Sequence, residues 1–132
     1  MIHKKIITLK TSEKNEMINI TSVVEKFIRE SSVKNGLCHV FVPHTTAGVT
    51  INENSDPNLL EDMLTHFEKL VPLSPLFKHK SHTEGHIKST LVGHSETILF
   101  ENGKLLLGQW QAIYYCEFSG ARTREVQLSI IA

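Results

Sequence analysis

Apolar residues recur along this chain at two spacings, one close to alternation and one close to every third or fourth position. Ile2 to Leu9 is rich in β-branched residues and too short for a buried helix, which predicts a strand. "TSEKNE" after it is polar and predicts a turn. Val23, Val24, Phe27 and Ile28 then return at helical intervals. Ser22-Val-Val-Glu25 has the spacing of a capping box, so an amphipathic helix is expected that ends before Gly36. "GLCHVFV" and "GVTIN" predict two strands with a polar stretch between them. Asp56 followed by Pro57 offers a side-chain cap and a proline at the first helical position. Leu59, Leu60, Met63, Leu64, Phe67 and Leu70 mark one face of the helix that follows, and Pro72 stops it.

From Pro72 to Glu84 the pattern dissolves into "PLSPLFKHKSHTE", a loop of functional length, since compact domains rarely keep so long a connection without a role. "GHIKSTLVG" predicts a short helix with Ile87 and Leu91 on one face. The remainder predicts strands at Thr97 to Phe100, Lys104 to Leu107, Gln109 to Phe118 and Glu125 to Ile131, with a hairpin turn at Asn102-Gly103. The order β-α-ββ-α-α-ββββ argues for an α+β fold with a largely antiparallel sheet.

Length and charge narrow the class. The 132 residues suit a single domain, 1–132, with a core that needs no disulfide or metal support. Fourteen Lys and Arg balance 14 Asp and Glu, so there is no electrostatic case for nucleic acid or for an anionic membrane surface. Without an apolar run long enough for a signal peptide or a membrane span, a soluble cytoplasmic protein is expected. Cys38 and Cys116 lie in apolar runs without CxxC spacing, which predicts buried free thiols.

Histidine comes first among candidate chemistry, with eight in the chain. His79, His82 and His86 follow one another at intervals of three and four around Gly85, a spacing that can present imidazoles to a metal ion or an anion, or simply a solvated polar loop. His86 opens a predicted helix whose free amides favour an anion. In "PHTTAGVTINENSDP", His44, Thr45 and Thr46 stand between a rigid proline and a small flexible exit, which reads either as an ordinary turn or as a loop converging on phosphate. Glu53, with Asn52, Asn54 and Asp56 around it, is a candidate proton acceptor or metal ligand. His39 reads as a hydrogen-bonded strand residue; His3, His66 and His94 read as surface.

In the strand from Gln109 to Phe118, Trp110, Ala112, Tyr114, Cys116 and Phe118 share a face expected to be core. Gln111, Ile113, Tyr115 and Glu117 share the other, expected to line a polar pocket, although Glu117 also suits a cross-strand ion pair. Arg122 and Arg124 follow in alternation and are expected to point the same way, as a phosphate clamp or a subunit salt-bridge site.

Taken together, "HTTAGVTINEN-DP", "GHIKSTLVG-S", "NGKLLLGQWQAI" and "CEFSGARTR" resemble the YjbQ-like proteins, also called secondary thiamine-phosphate synthases. The resemblance runs from the first strand to the last and is most specific from Ser95 to Ile113, with Phe100 replacing the usual aliphatic residue. It implies a compact β-sandwich-like α+β fold with two to three helices, assembled as a homotrimer. The implied activity is a low-level thiamine-phosphate synthase that joins a hydroxymethylpyrimidine diphosphate to a thiazole phosphate and releases pyrophosphate. On that basis His44, Glu53, His86 and Glu117 are expected to be catalytic, and Thr45, Thr46, Lys88, Gln111, Arg122 and Arg124 to bind substrate. A divalent metal, magnesium on the substrate pyrophosphate or zinc at His44, His82 and His86, is the expected cofactor, with no organic one. The expected partner is a small phosphorylated metabolite. The alternatives are a non-catalytic metabolite binder and a metal-dependent hydrolase. Ser119 and Ala121 depart from the aspartate and proline common in relatives, and the loop before His86 is short.

Overall fold

The computed structural model describes residues 2–132, with only the backbone described for Ile2. Two antiparallel sheets face each other across the main core. β1 (Ile2–Lys10), β8 (Thr123–Ile131), β3 (Gly36–Phe41), β5 (Ser95–Glu101) and β6 (Lys104–Leu105) make the larger sheet in that order. β2 (Glu16–Asn19), β7 (Gln111–Glu117) and β4 (Ala47–Glu53) make the smaller one. Cys38, Val40, Ile98, Phe100, Val126, Leu128 and Ile130 from the first meet Val49, Ile113 and Tyr115 from the second, together with Val24, Phe27 and Ile28 of α1 (Thr21–Ser31). α2 (Pro57–Leu70) covers the outer face of the smaller sheet, setting Leu60, Met63, Leu64 and Phe67 on Ala112, Tyr114, Cys116 and Phe118. α3 (Thr83–Val92) packs beside β4. No helix among the described residues is long and apolar enough to cross a membrane.

Local chemistry accounts for most of the boundaries. Asp56 caps α2 by accepting from the amide of Asn58 at 3.0 Å, and Pro57 follows at the first position. Asn102 (φ 51°) and Gly103 (φ 74°) both adopt the left-handed geometry that closes the β5–β6 hairpin without splaying it. The capping box expected at Ser22 does not form. α1 starts one residue earlier, its N-cap position is Ile20 with no side-chain bond, and Thr21 spends its hydroxyl on the amide of Ile113 instead. Ser32 in the left-handed region ends the helix.

Three expectations give way. β2 lies partly within the stretch read as a turn; its four residues pair with β7 because Met17 finds a buried place under α2. β7 is covered on both faces, since it is the middle strand between the sandwich core and α2. The expected polar face is therefore core at Ile113 and Tyr115, and Trp110, expected inside, lies before the strand at 55% exposure. His94 is half-buried rather than a surface residue, with Nε2 2.9 Å from the Ser89 hydroxyl. The two cysteines are buried and free, as their apolar settings predict.

Candidate functional site

Three segments distant in sequence converge at one end of the sandwich. The β3–β4 connection brings His44, Thr45 and Thr46, the start of α3 brings His82 and His86, and the β7–β8 corner brings Arg122 and Arg124. With Pro43 they line an open recess of about 380 Å³, at the small end of the range for metabolite sites. Among the described residues no carboxylate lines it.

The base of the recess is a buried ion pair. Arg124 donates from Nε to Glu117 Oε1 at 2.8 Å and from Nη2 to Oε2 at 2.5 Å, and Nη2 also reaches the Thr46 hydroxyl at 2.8 Å. Glu117 further accepts from the Thr11 hydroxyl at 2.8 Å and from the amides of Phe118 and Ser119 at 3.1 Å. Burial opposes ionisation of Glu117, but Arg124, Thr11 and the Ser119 amide outweigh it and hold the carboxyl below its ordinary value. Glu117 therefore anchors Arg124, which in turn holds the Thr46 hydroxyl, rather than standing free as a proton acceptor.

Each imidazole has a defined hydrogen-bonding role. His44 Nε2 accepts from the amide of Glu125 at 2.9 Å, which leaves the ring proton on Nδ1. Burial and the charge of Arg124 hold His44 below its ordinary pKa. His82 Nε2 lies 3.2 Å from Arg122 Nη2, and a guanidinium can only donate, so Nδ1 carries the proton and donates to the Ser119 hydroxyl at 2.7 Å. Arg122 also donates from Nε to the Ser119 carbonyl at 2.7 Å. His86 Nδ1 donates to the Thr45 carbonyl at 3.0 Å, leaving the lone pair on Nε2. The His79 ring stands edge-on to His86 with centroids 5.3 Å apart.

The sequence match runs through the whole of this arrangement. The family described as UPF0047 protein YjbQ-like matches residues 5–132. The chain belongs to the YjbQ family. It is 44% identical to the UPF0047 protein YugU of Bacillus subtilis, over 96% of this chain and 98% of that protein. It is 45% identical to the UPF0047 protein MJ1081 of Methanocaldococcus jannaschii, over 93% of this chain and 90% of that one. A crystal structure from Clostridium acetobutylicum, described as an uncharacterized conserved protein of the yjbq/upf0047 family, superposes with a TM-score of 0.93 at 47% identity, covering 96% of this chain and 99% of the other. One from Sulfolobus solfataricus, described as a YbjQ-like protein of unknown function, gives 0.93 at 31%, covering 98% and 96%. These relatives support the α+β sandwich.

For this YjbQ family member the expected site residues separate into two groups. His44, Thr45, Thr46, His82, His86, Arg122 and Arg124 meet at the recess. Glu53, Gln111 and Lys88 do not join them within the chain. β4 and β7 pair Ala47 with Glu117 at the recess end and Glu53 with Gln111 at the other, six residues or about 20 Å away. Gln111 Oε1 accepts from the amide of Gly108 at 2.8 Å. Lys88 is fully buried, facing α2, where its ammonium meets Glu68 and lies 3.4 Å from Asn15 Oδ1. His86 is not at the free-amide end of α3. The helix begins at Thr83, and the His86 amide already donates to the His82 carbonyl at 3.0 Å.

A zinc site needs several imidazole lone pairs pointing at one place. His44 and His82 spend theirs on Glu125 and Arg122, and among the described residues no three His, Cys, Asp or Glu side chains group to hold a metal ion. As bonded here, His86 Nε2 is the one imidazole lone pair of the three left open to a metal ion among the described residues. Ser119 is the residue that motif reading undervalued. Seen there as a lost aspartate, it is buried at the edge of the recess, and its hydroxyl lies 2.7 Å from His82 Nδ1 and 3.2 Å from Arg122 Nη2.

Proposed function

We propose that this protein holds the phosphate end of a small phosphorylated metabolite in the recess between His44, His82, His86, Arg122 and Arg124, and stabilises the anion released there. The observation that carries this is the convergence of two guanidinium groups and three imidazoles on one recess without a lining carboxylate. In its finer form the reading is a low-level transferase of the thiamine-phosphate synthase kind, which the motif resemblance implies. There the leaving pyrophosphate exposes a pyrimidine cation, and the protein has mainly to orient two anionic ends and neutralise departing charge. Magnesium enters this reading as an escort of the substrate pyrophosphate. Arg122 is the phosphate contact, and Arg124, whose charge is balanced by Glu117, fixes Thr46 at the floor of the recess.

Calorimetric titration with magnesium pyrophosphate tests the pocket. One charge-assisted contact is worth about 1.5–3 kcal/mol, so Arg122→Ala is expected to weaken binding about 10- to 150-fold. A wild-type protein that ignores millimolar pyrophosphate would sink the reading. Incubation with both thiamine precursors tests the transfer. Bound pyrophosphate with unchanged precursors would leave a non-catalytic binder. Stoichiometric zinc in protein purified without added metal would instead favour the hydrolase alternative.

The homotrimer is proposed with it. Ile6, Leu37, Phe41, Leu99 and Ile131 leave an exposed apolar stripe on the outer face of the larger sheet, the kind of surface that subunit contact would cover. Light scattering decides between one and three copies of the 14.9 kDa chain.

A further inference from the structure

One imidazole in the recess differs from its neighbours. His86 is fixed at Nδ1 by the Thr45 carbonyl, and no described residue hydrogen-bonds its Nε2, whereas His44 and His82 have both committed Nε2 to a donor. The His79 ring against its edge limits rotation. A backbone carbonyl on one nitrogen orients the ring and raises the electron density of the other, the arrangement that makes imidazole a nucleophile. Arg122, Arg124 and His44 line the same recess and carry N–H groups suited to phosphate oxygens, while His82 holds Arg122 in place.

We infer that His86 Nε2 accepts a phosphoryl group from a phosphorylated small molecule bound in this recess, forming a phosphohistidine that water then hydrolyses. The inference rests on the anion-binding reading proposed above. In the first step the Nε2 lone pair forms the N–P bond while the bond from phosphorus to the bridging oxygen breaks, its electron pair leaving with that oxygen. In the second, water attacks phosphorus and gives up its proton to solvent. The P–N electron pair returns to Nε2, and orthophosphate leaves.

The lining also selects the substrate. Among the described residues no carboxylic acid stands in the recess to protonate a departing alkoxide, and Glu117 beneath it is committed to Arg124. The leaving group must therefore be stable as an anion. Pyrophosphates and acyl phosphates meet that need and alkyl phosphomonoesters do not.

The test uses the full chain with acetyl phosphate or magnesium pyrophosphate, quenched rapidly in alkali across the first turnover. Phosphopeptide mass spectrometry is expected to find an acid-labile phosphoryl group on His86, and none with glycerol phosphate. His86→Asn keeps an amide able to reach Thr45 but lacks Nε2, and labelling and orthophosphate release are both expected to fall at least tenfold. Calorimetry on the same samples reports binding separately. Bound pyrophosphate without label on His86, or undiminished labelling in the asparagine variant, overturns the inference and leaves the anion pocket standing. No binding of either compound overturns both.

Discussion

Replacing Glu117 with glutamine tests the base of the recess. The substitution keeps shape and removes one charge, leaving the Arg124 guanidinium 5% exposed with no carboxylate against it. Two contacts to Arg124, at 2.8 and 2.5 Å, lose the carboxylate charge, and the amide nitrogen confronts donors at Thr11, Phe118 or Ser119 whichever way it is turned. Breaking a buried pair by removing one partner costs about 3–5 kcal/mol, because the surviving charge is left uncompensated. In a chain of this size that lowers Tm by about 10–20 °C. Differential scanning calorimetry at pH 7 measures it directly. The sign with pH is also set. Glu117 is held below its ordinary value when folded, so the wild-type advantage is full above the unfolded value of about 4.3 and fades as pH falls through the folded one. Adding Arg124→Leu to Glu117→Gln removes the orphaned charge and is expected to recover part of the loss. A glutamine variant within 2 °C of wild type at pH 7, or a gap that widens in acid, would refute the reasoning.

Three further outcomes can be checked on the same protein. A Cβ at Gly85 would lie 2.8 Å from the Phe118 carbonyl and 3.4 Å from Thr46, so Gly85→Ala is expected to cost about 1–3 kcal/mol by overpacking and to weaken pyrophosphate binding by displacing the start of α3. Lys88→Met removes a buried ammonium whose partner Glu68 can turn to water, so stability by urea titration is expected to change by less than about 1.5 kcal/mol and pyrophosphate affinity not at all. Burial pushes the Cys38 thiol up to about 11 and the Cys116 thiol up to about 12, so a disulfide reagent at pH 8 is expected to label neither until the chain is unfolded in urea.

Local signals in the sequence were sufficient for much of the fold. The Asp56-Pro57 start of α2, the Asn102-Gly103 turn and the alternation of β3 and β8 depend on neighbours a few residues away, and each appears where its pattern places it. Ser22-Val-Val-Glu25 carries an equally local signal and fails. Thr21 beside it bonds the amide of Ile113, a partner 92 residues away that no window of sequence contains. β2 was hidden for the same reason, since four residues have little pattern of their own until β7 pairs with them.

The site divides along the same line. Residue types were readable: histidines, threonines and arginines in turn-like contexts, and a chain-long resemblance to one family. Which of them meet was not. Periodicity placed Glu117 on a polar face, but the pairing of β7 between two layers turned that face into core and set the carboxylate against Arg124 in a buried ion pair. Spacing offered three histidines to a metal, but Glu125 and Arg122, distant in sequence and brought in by the β7–β8 corner and β8, took two of the lone pairs. Sequence by itself determined most of the elements, the family and the candidate chemistry, because these rest on short-range preference and motif. Tertiary structure alone decided which charge is spent on holding the fold and which nitrogen is left free, because a hydrogen bond is made with whatever group the fold brings within 3 Å.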